Sequence, residues 1–353
     1  MPFSWDRREG STLAAVGFVV IGRNEGERLR KCLESVIGPV HRVVYVDSAS
    51  TDKSVALARL HGAEVVELDM STTFSAARAR NAGFQRLVEA DPGLRFVQFI
   101  DGDCEILDGW LRVAVESLET RPELAIVAGW VRERAPEASI YNRLGNIEWN
   151  FAGVGEVESV GGIFMIRREA FEDAGGFDPT IAAGEEPEFC QRLSRRGWRI
   201  RRLDERMALH DLAMTRFGQW WKRQVRFGYG SMDVATRFKW PRFQRNNLTA
   251  RFWSAWLLGV LTAGPLAAGF PRHGVLLFLA LMLLILWPSQ LGRIALRTWR
   301  AGQPFALSVA YAFFLMVSFW PQMLGQLLYW NDRARKQNFR LIEHKDARGS
   351  GSG

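Results

Sequence analysis

Cysteine is scarce in this chain: Cys32, Cys104 and Cys190 are the only three among 353 residues. Their number is odd and no pair sits at metal-ligand spacing, so the cysteine pattern supplies neither a disulfide framework nor a zinc site. Buried free thiols in a reducing compartment are the expectation. There is no G-x-G-x-x-G and no P-loop lysine motif, which argues against a dinucleotide oxidoreductase and an ATPase. Residues 1–12 are polar and charged without an apolar stretch, so no cleavable signal peptide is expected. Charge is almost missing from residues 257–286 and absent from 305–330, whereas it runs evenly through the first two thirds. The Gly-Ser tail at 349–353 reads as an appended linker and is set aside.

What is present alternates. Gly17-Phe-Val-Val-Ile21 is a short run rich in β-branched residues and reads as a buried strand. It gives way at Arg23-Asn24-Glu25 to an amphipathic helix through Leu29, Leu33 and Val36. Residues 43–46 form a second strand ending at Asp47, and the polar turn 48–52 opens a second helix. Residues 63–68 read as a third strand and 74–88 as a third helix. The apolar run Phe96–Ile100 then ends in Asp101-Gly102-Asp103. Strands alternating with helices at this spacing predict a mainly parallel sheet flanked by helices. Ligands bind such sheets beyond the carboxyl ends of the strands, where the clusters at 23–25, 47–52 and 101–103 all fall. Residues two apart on an extended strand share a face, so Asp101 and Asp103 are either an ordinary turn or a paired site for a divalent cation on a diphosphate. Arg78, Arg80 and Asn81, among small neighbours, are placed to hold phosphates.

Asn24-Glu25, Asp47-Ser-Ala-Ser-Thr-Asp52, Ala79-Arg80-Asn81-Ala82-Gly83 and Asp101-Gly-Asp103 stand in the order used by family 2 glycosyltransferases, which this sequence resembles over residues 13–210. The resemblance implies the GT-A fold and inverting transfer of a sugar from a nucleotide sugar, a UDP-sugar being favoured. It implies that Glu25 and Asp47 meet the base and ribose, and that Asp103, with Asp101, meets Mg²⁺ or Mn²⁺. Two departures stand out. Arg23 occupies the place of a base-stacking aromatic, where its planar guanidinium can stack instead, and Ser48 replaces a second carboxylate.

Gly161 and Gly162, opening Val160–Arg167, either let an acceptor sugar approach the backbone or mark a bulge. Glu185-Glu186 opens a helix running to Trp198. Acidic residues there are dipole partners or, as the family's Glu-Asp pair implies, include the general base, Glu186 by position with Glu185 as the fallback. His210 is a structural histidine or a third metal ligand.

Residues 211–251 interleave aromatics with arginines and lysines, which suits an amphipathic segment in the headgroup region. Within it Gln224 and Arg226 resemble the Gln-x-x-Arg-Trp-like signature of the family's membrane synthases, implying a place over the donor, and Trp220 and Trp221 are candidate acceptor contacts. Residues 253–270, 275–291 and 305–330 each approach the roughly 20 residues that span a bilayer. A region over 252–330 is therefore expected to be transmembrane, with a basic tail at 331–348. The third segment is either re-entrant or broken at Pro321, or a full crossing that puts the basic tail outside against the positive-inside rule. The expectation is a multi-pass inner (cytoplasmic) membrane glycosyltransferase, its catalytic domain facing the cytoplasm, acting on a lipid or lipid-linked saccharide in envelope or exopolysaccharide synthesis. A processive polysaccharide synthase and a non-catalytic nucleotide-sugar-binding scaffold are the alternatives. Basic charge leading straight into apolar segments argues for a bilayer and against nucleic acid.

Overall fold

The computed structural model describes residues 14–335, apart from 39–41, 151–152, 182 and 270–273. Most of the basic tail, the Gly-Ser tail and the first 13 residues lie outside this range. Two compact units divide between Thr215 and Arg216.

The first unit is a nine-stranded sheet flanked by helices. Strands β1 (Val16–Gly22), β2 (Arg42–Asp47), β3 (Glu64–Glu67) and β4 (Phe96–Asp101) alternate with helices α1 (Glu27–Val36), α2 (Ser54–Leu60) and α3 (Ala76–Ala90). Further on come β5 (Cys104–Ile106), α4 (Trp110–Thr120), β6 (Leu124–Glu133), α5 (Ile140–Trp149), β7 (Gly155–Glu156), β8 (Phe164–Arg167), α6 (Arg168–Asp173), α7 (Glu185–Arg195) and β9 (Arg199–His210). The spatial order is β3-β2-β1-β4-β8-β6-β9-β5, with β7 on β9.

The expected parallel sheet is only half of what forms. Strands β3, β2, β1 and β4 are mutually parallel, as is β6 with β9. Strand β8 runs antiparallel between β4 and β6, while β5 and β7 run antiparallel to β9. The sheet is mixed because β8 enters between two strands that run the other way, although α5 lies between it and β6 in the chain.

Parallel register sets the site. Gly22 stands opposite Asp47, and Ile21 opposite Asp101, so the carboxyl ends of three adjacent strands finish side by side. Val19, Tyr45, Val46, Phe99 and Ile100 behind them are buried. Helix α3 lies close because Gly83 carries no side chain: a Cβ there would come within 2.4 Å of Val19 Cγ1 and 2.9 Å of Val46 Cγ2. All three cysteines are free and buried, as expected.

The second unit consists of helices α8 (Phe217–Phe238), α9 (Pro241–Gly269), α10 (Gly274–Arg300) and α11 (Phe305–Ala334). Pro321 does not break α11, which continues through it. Among the described residues α11 is the one helix long and apolar enough to cross a membrane; side chains over 260–283, in α9 and α10, are outside that description. Helix α8 is not simply laid on a surface. Gly228 and Gly325 let it cross α11 in close contact, since a Cβ on Gly228 would meet the Gln322 carbonyl oxygen at 2.0 Å and one on Gly325 the Val225 carbonyl oxygen at 2.1 Å.

Candidate active site

Two loops at the strand ends are tied to each other. Asn24, with φ of 55°, accepts from the Thr51 amide at 2.7 Å and the Asp52 amide at 3.3 Å, while its own amide donates to Ser50 Oγ at 2.9 Å. Asp47 is buried, accepting from Tyr45 Oη at 3.0 Å and from the Ser50 amide at 2.8 Å. Glu25 pairs with Arg28 at 2.9 Å, and its stem packs where side chains on Gly22 and Gly102 would stand. Arg23, half-buried, lies on the same turn.

The Asp-Gly-Asp stretch divides. Strand β4 ends at Asp101, and Gly102 turns the chain by donating its amide to the Ile21 carbonyl at 2.8 Å. Asp103 therefore lies beyond the strand, and the shared face expected of a continuous strand is lost. Asp101 accepts from Arg80 Nη2 at 3.1 Å. Asp103, buried, lies 3.4 Å from His210 Nε2 and accepts from Cys104 Sγ at 3.3 Å.

Antiparallel pairing of β5 with β9 sets Cys104 directly against His210, and ligand atoms of Asp103, Cys104 and His210 fall within 4.8 Å of one another. A carboxylate and an imidazole are side chains that ligate divalent cations. Burial and the neighbouring Asp103 push the Cys104 thiol far above its ordinary range, so it stays neutral. The Asp103–His210 pair fits a divalent cation; Asp101 is paired with Arg80.

Around Arg80 a second cluster forms. The side chain is 2% exposed and projects from α3. Nη1 reaches Glu185 Oε1 at 3.0 Å and Glu186 Oε1 at 3.2 Å. Gly162 closes over it: a Cβ there would stand 2.3 Å from Arg80 Nη2, 3.1 Å from Asp101 Oδ2 and 3.2 Å from Glu186 Oε1. Gly161 faces open space. Glu185 and Glu186 form the first turn of α7, introduced by Gly184 at φ 91°. Burial, reinforced by the charge of Glu185 and opposed by Arg80, pushes the Glu186 carboxyl up to about 7.

Several sequence candidates have protein partners of their own. Arg78 donates its guanidinium to the carbonyls of Asp69, Thr72 and Thr73, bracing the loop after β3. Asn81 donates to the Phe177 carbonyl at 2.8 Å and accepts from its amide at 2.9 Å, so its amide secures a turn. In the helical unit Trp220 is buried against Phe314, and Gln224 accepts from Gln322 Nε2 at 3.1 Å; both serve helix packing there. Trp221 and Arg226 are half-buried on the same helix.

Sequence reasoning missed Cys104, Trp149 and Glu133. Trp149 sets its ring edge-on to His210 at 4.4 Å. Glu133, opposite His210 across β6 and β9, accepts from the Ala135 and Leu212 amides and from Asn142 Nδ2. Adjacency to Asp103 was the one available signal, for Cys104; the other two depend on pairing.

Residues 18–175 match the family model described as Glycosyl transferase family 2, and residues 97–325 match that described as Glycosyl transferase family group 2. The chain belongs to glycosyl transferase family group 2. As a glycosyltransferase it is 24% identical, over 64% of its length and 75% of the relative's, to the glycosyltransferase AglE of Haloferax volcanii. It is 28% identical to the pre-mycofactocin glycosyltransferase of Mycobacterium tuberculosis, over 63% of this chain and 48% of that protein. The transferase thus spans three quarters of one of these relatives and about half of the other. Its fold is similar to that of the mannosyltransferase PcManGT from Pyrobaculum calidifontis, solved with GDP-Man and Mn²⁺, at a TM-score of 0.53 and 19% identity over 88% of this chain and 87% of that one. The mixed sheet with its flanking helices is accordingly GT-A-like.

Proposed function

We propose that this transferase moves a sugar, with inversion, from a nucleotide-sugar donor to a hydroxyl of a lipid or lipid-linked acceptor, with Glu186 as general base. The observation that carries the reading is the Glu186 carboxylate itself. It stands at the strand ends beside Gly162, partly open, with its proton affinity raised to about 7. A base with a pKa near the working pH combines an ionised fraction with real basicity. As the acceptor oxygen bonds to the anomeric carbon, the bond from that carbon to the diphosphate oxygen breaks, and the hydroxyl proton passes to Glu186.

Asp47, Glu25 and the locked loops at 22–25 and 47–52 form the wall for base and ribose. The nearest sequence departure, Arg23, leaves the base open between uridine and guanosine donors. Asp103 and His210 would hold Mn²⁺ or Mg²⁺, which supplies positive charge to the leaving diphosphate. Gly161, facing open space, leaves room for the acceptor.

Membrane anchoring rests on α11 and on the run of apolar residues in α9 and α10. The test is turnover by Glu186→Gln across a panel of UDP- and GDP-sugars with Mn²⁺. Loss of turnover with nucleotide binding retained is expected; wild-type turnover would remove Glu186 from the reaction.

A further inference from the structure

Beyond the base itself, the geometry points to Arg80 as a positioning residue for transfer: it fixes Glu186 from behind rather than gripping the donor. This inference rests on Glu186 acting as the base. Both terminal nitrogens are engaged by protein carboxylates, Nη1 by Glu185 and Glu186 and Nη2 by Asp101. One planar cation thereby ties the end of strand β4 to the first turn of helix α7, two elements that share no backbone pairing among the described residues.

Its surroundings are built to keep it there. The guanidinium lies over the buried Phe177 ring, 5.6 Å from the centroid. Phe177 is in turn held through its backbone by Asn81, the residue next to Arg80 on α3. Adjacent residues on one helix therefore divide the work: Asn81 fixes the platform and Arg80 rests on it. Gly162 approaches it closely, and any larger residue would displace Nη2.

The cluster also separates the two glutamates. Glu185 keeps 6% of its side-chain surface and anchors the cation, while Glu186 keeps 17%. A lone carboxylate in so buried a place would be neutralised or would swing to solvent; the shared guanidinium supplies both charge and direction, which a planar fork does better than an ammonium. The Arg80 Nε has no hydrogen-bond partner among the described residues, so a diphosphate contact is the competing role.

The experiment separates the two. In the full chain, Arg80→Gln and Arg80→Lys are compared with wild type for nucleotide-sugar turnover and for calorimetric binding of UDP and GDP with Mn²⁺. Positioning predicts a turnover loss of about a hundredfold for R80Q, because small misplacements of reacting groups cost that much, with partial recovery in R80K. Nucleotide affinity should stay within about threefold, the signature of an interaction made in the transition state alone. If R80Q does not fold, R80K carries the test with the charge kept. Affinity falling in step with turnover, or turnover at the wild-type rate, overturns the inference. The double variant R80K/E186Q should be no slower than E186Q alone; a further loss also overturns it. An active E186Q refutes the base, whereas active Arg80 variants beside an inactive E186Q refute only this role.

Discussion

At Glu186 two influences oppose each other, and the larger one wins. Burial and the charge of Glu185 favour the neutral acid, while Arg80 favours the carboxylate, and the balance lies near 7, above the ordinary value of 4.5. The sign for catalysis follows directly: the base must be ionised, so turnover should rise through pH 7 and fall about tenfold per unit well below it. A pH–rate profile flat from 5 to 8 would contradict this. Stability runs the other way. The folded chain holds this proton more tightly than the unfolded chain does, so ionisation destabilises the fold as pH rises from 4.5 through 7. Glu186→Gln should therefore melt above wild type at pH 8 and together with it at pH 4.5, as thermal denaturation at the two pH values would reveal. Asp101 and Asp103 show the limit of reading residues alone. Spacing suggested one shared face, yet the amide of Gly102 finds the Ile21 carbonyl, turns the chain, and sends the two carboxylates to different partners.

Elements in the first half were legible because local pattern specifies them. The third helix, read over 74–88, forms over Ala76–Ala90, capped by Ser75, whose Oγ accepts from the Arg78 amide at 3.2 Å. The strands ending at Asp47 and Asp101 lie where their β-branched and aromatic runs placed them. Strand β9 was read as five residues and runs to twelve, carrying His210 as its last residue instead of placing it after a turn. Partners on both sides, β6 and β5, extend it, and no local signal announces a partner far away in the chain. The same pairing hides the clamp behind His210. Asn142 donates to Glu133 Oε1 and to the Ala135 carbonyl and accepts from the Met214 amide at 3.1 Å, while Ser139 Oγ donates to the Met214 carbonyl. These bonds tie the segment after His210, including Ala213 at φ 47°, onto α5. Asn142→Ala would take the acceptor from the buried Met214 amide and remove one donor each from Glu133 Oε1 and the Ala135 carbonyl, which keep the Ala135 and Ala138 amides. A loss of about 1–3 kcal/mol is expected for such unmade bonds, measurable by urea denaturation, and an unchanged midpoint would show the clamp to be idle.

Over the whole molecule the two units obey opposite rules. In the catalytic unit, where buried charge includes the site residues Asp47, Arg80, Asp103 and Glu185, Phe, Val and Ile fill the interior. Helix α11 reverses this. Its buried positions include Ser308, Ser318, Gln322, Gln326 and Asp332, whereas Phe305, Phe313, Leu324, Leu327 and Trp330 are exposed. The inward polar groups find one another: Gln322 bonds Ser318 Oγ as well as Gln224, Gln326 accepts from Arg251, and Tyr229 donates to Asp332. Small residues at the crossing with α8 and a polar seam between helices are how helices associate where lipid removes the hydrophobic drive. An apolar outer face on that scale is otherwise an interaction surface in need of a cover, and a bilayer supplies one along the length of a helix. The two alternatives diverge at an exposed leucine. In water, Leu324→Arg would be neutral or improve solubility; in a bilayer, an arginine costs about 2.5–3.5 kcal/mol at the centre of a spanning helix and less toward its ends, where Leu324 lies. The full chain should accordingly remain with the membrane pellet through an alkaline carbonate wash, and L324R should reduce that fraction and the yield of folded protein. Recovery of soluble, monodisperse L324R without detergent would place this face in water and confine the transferase to the membrane surface or away from it.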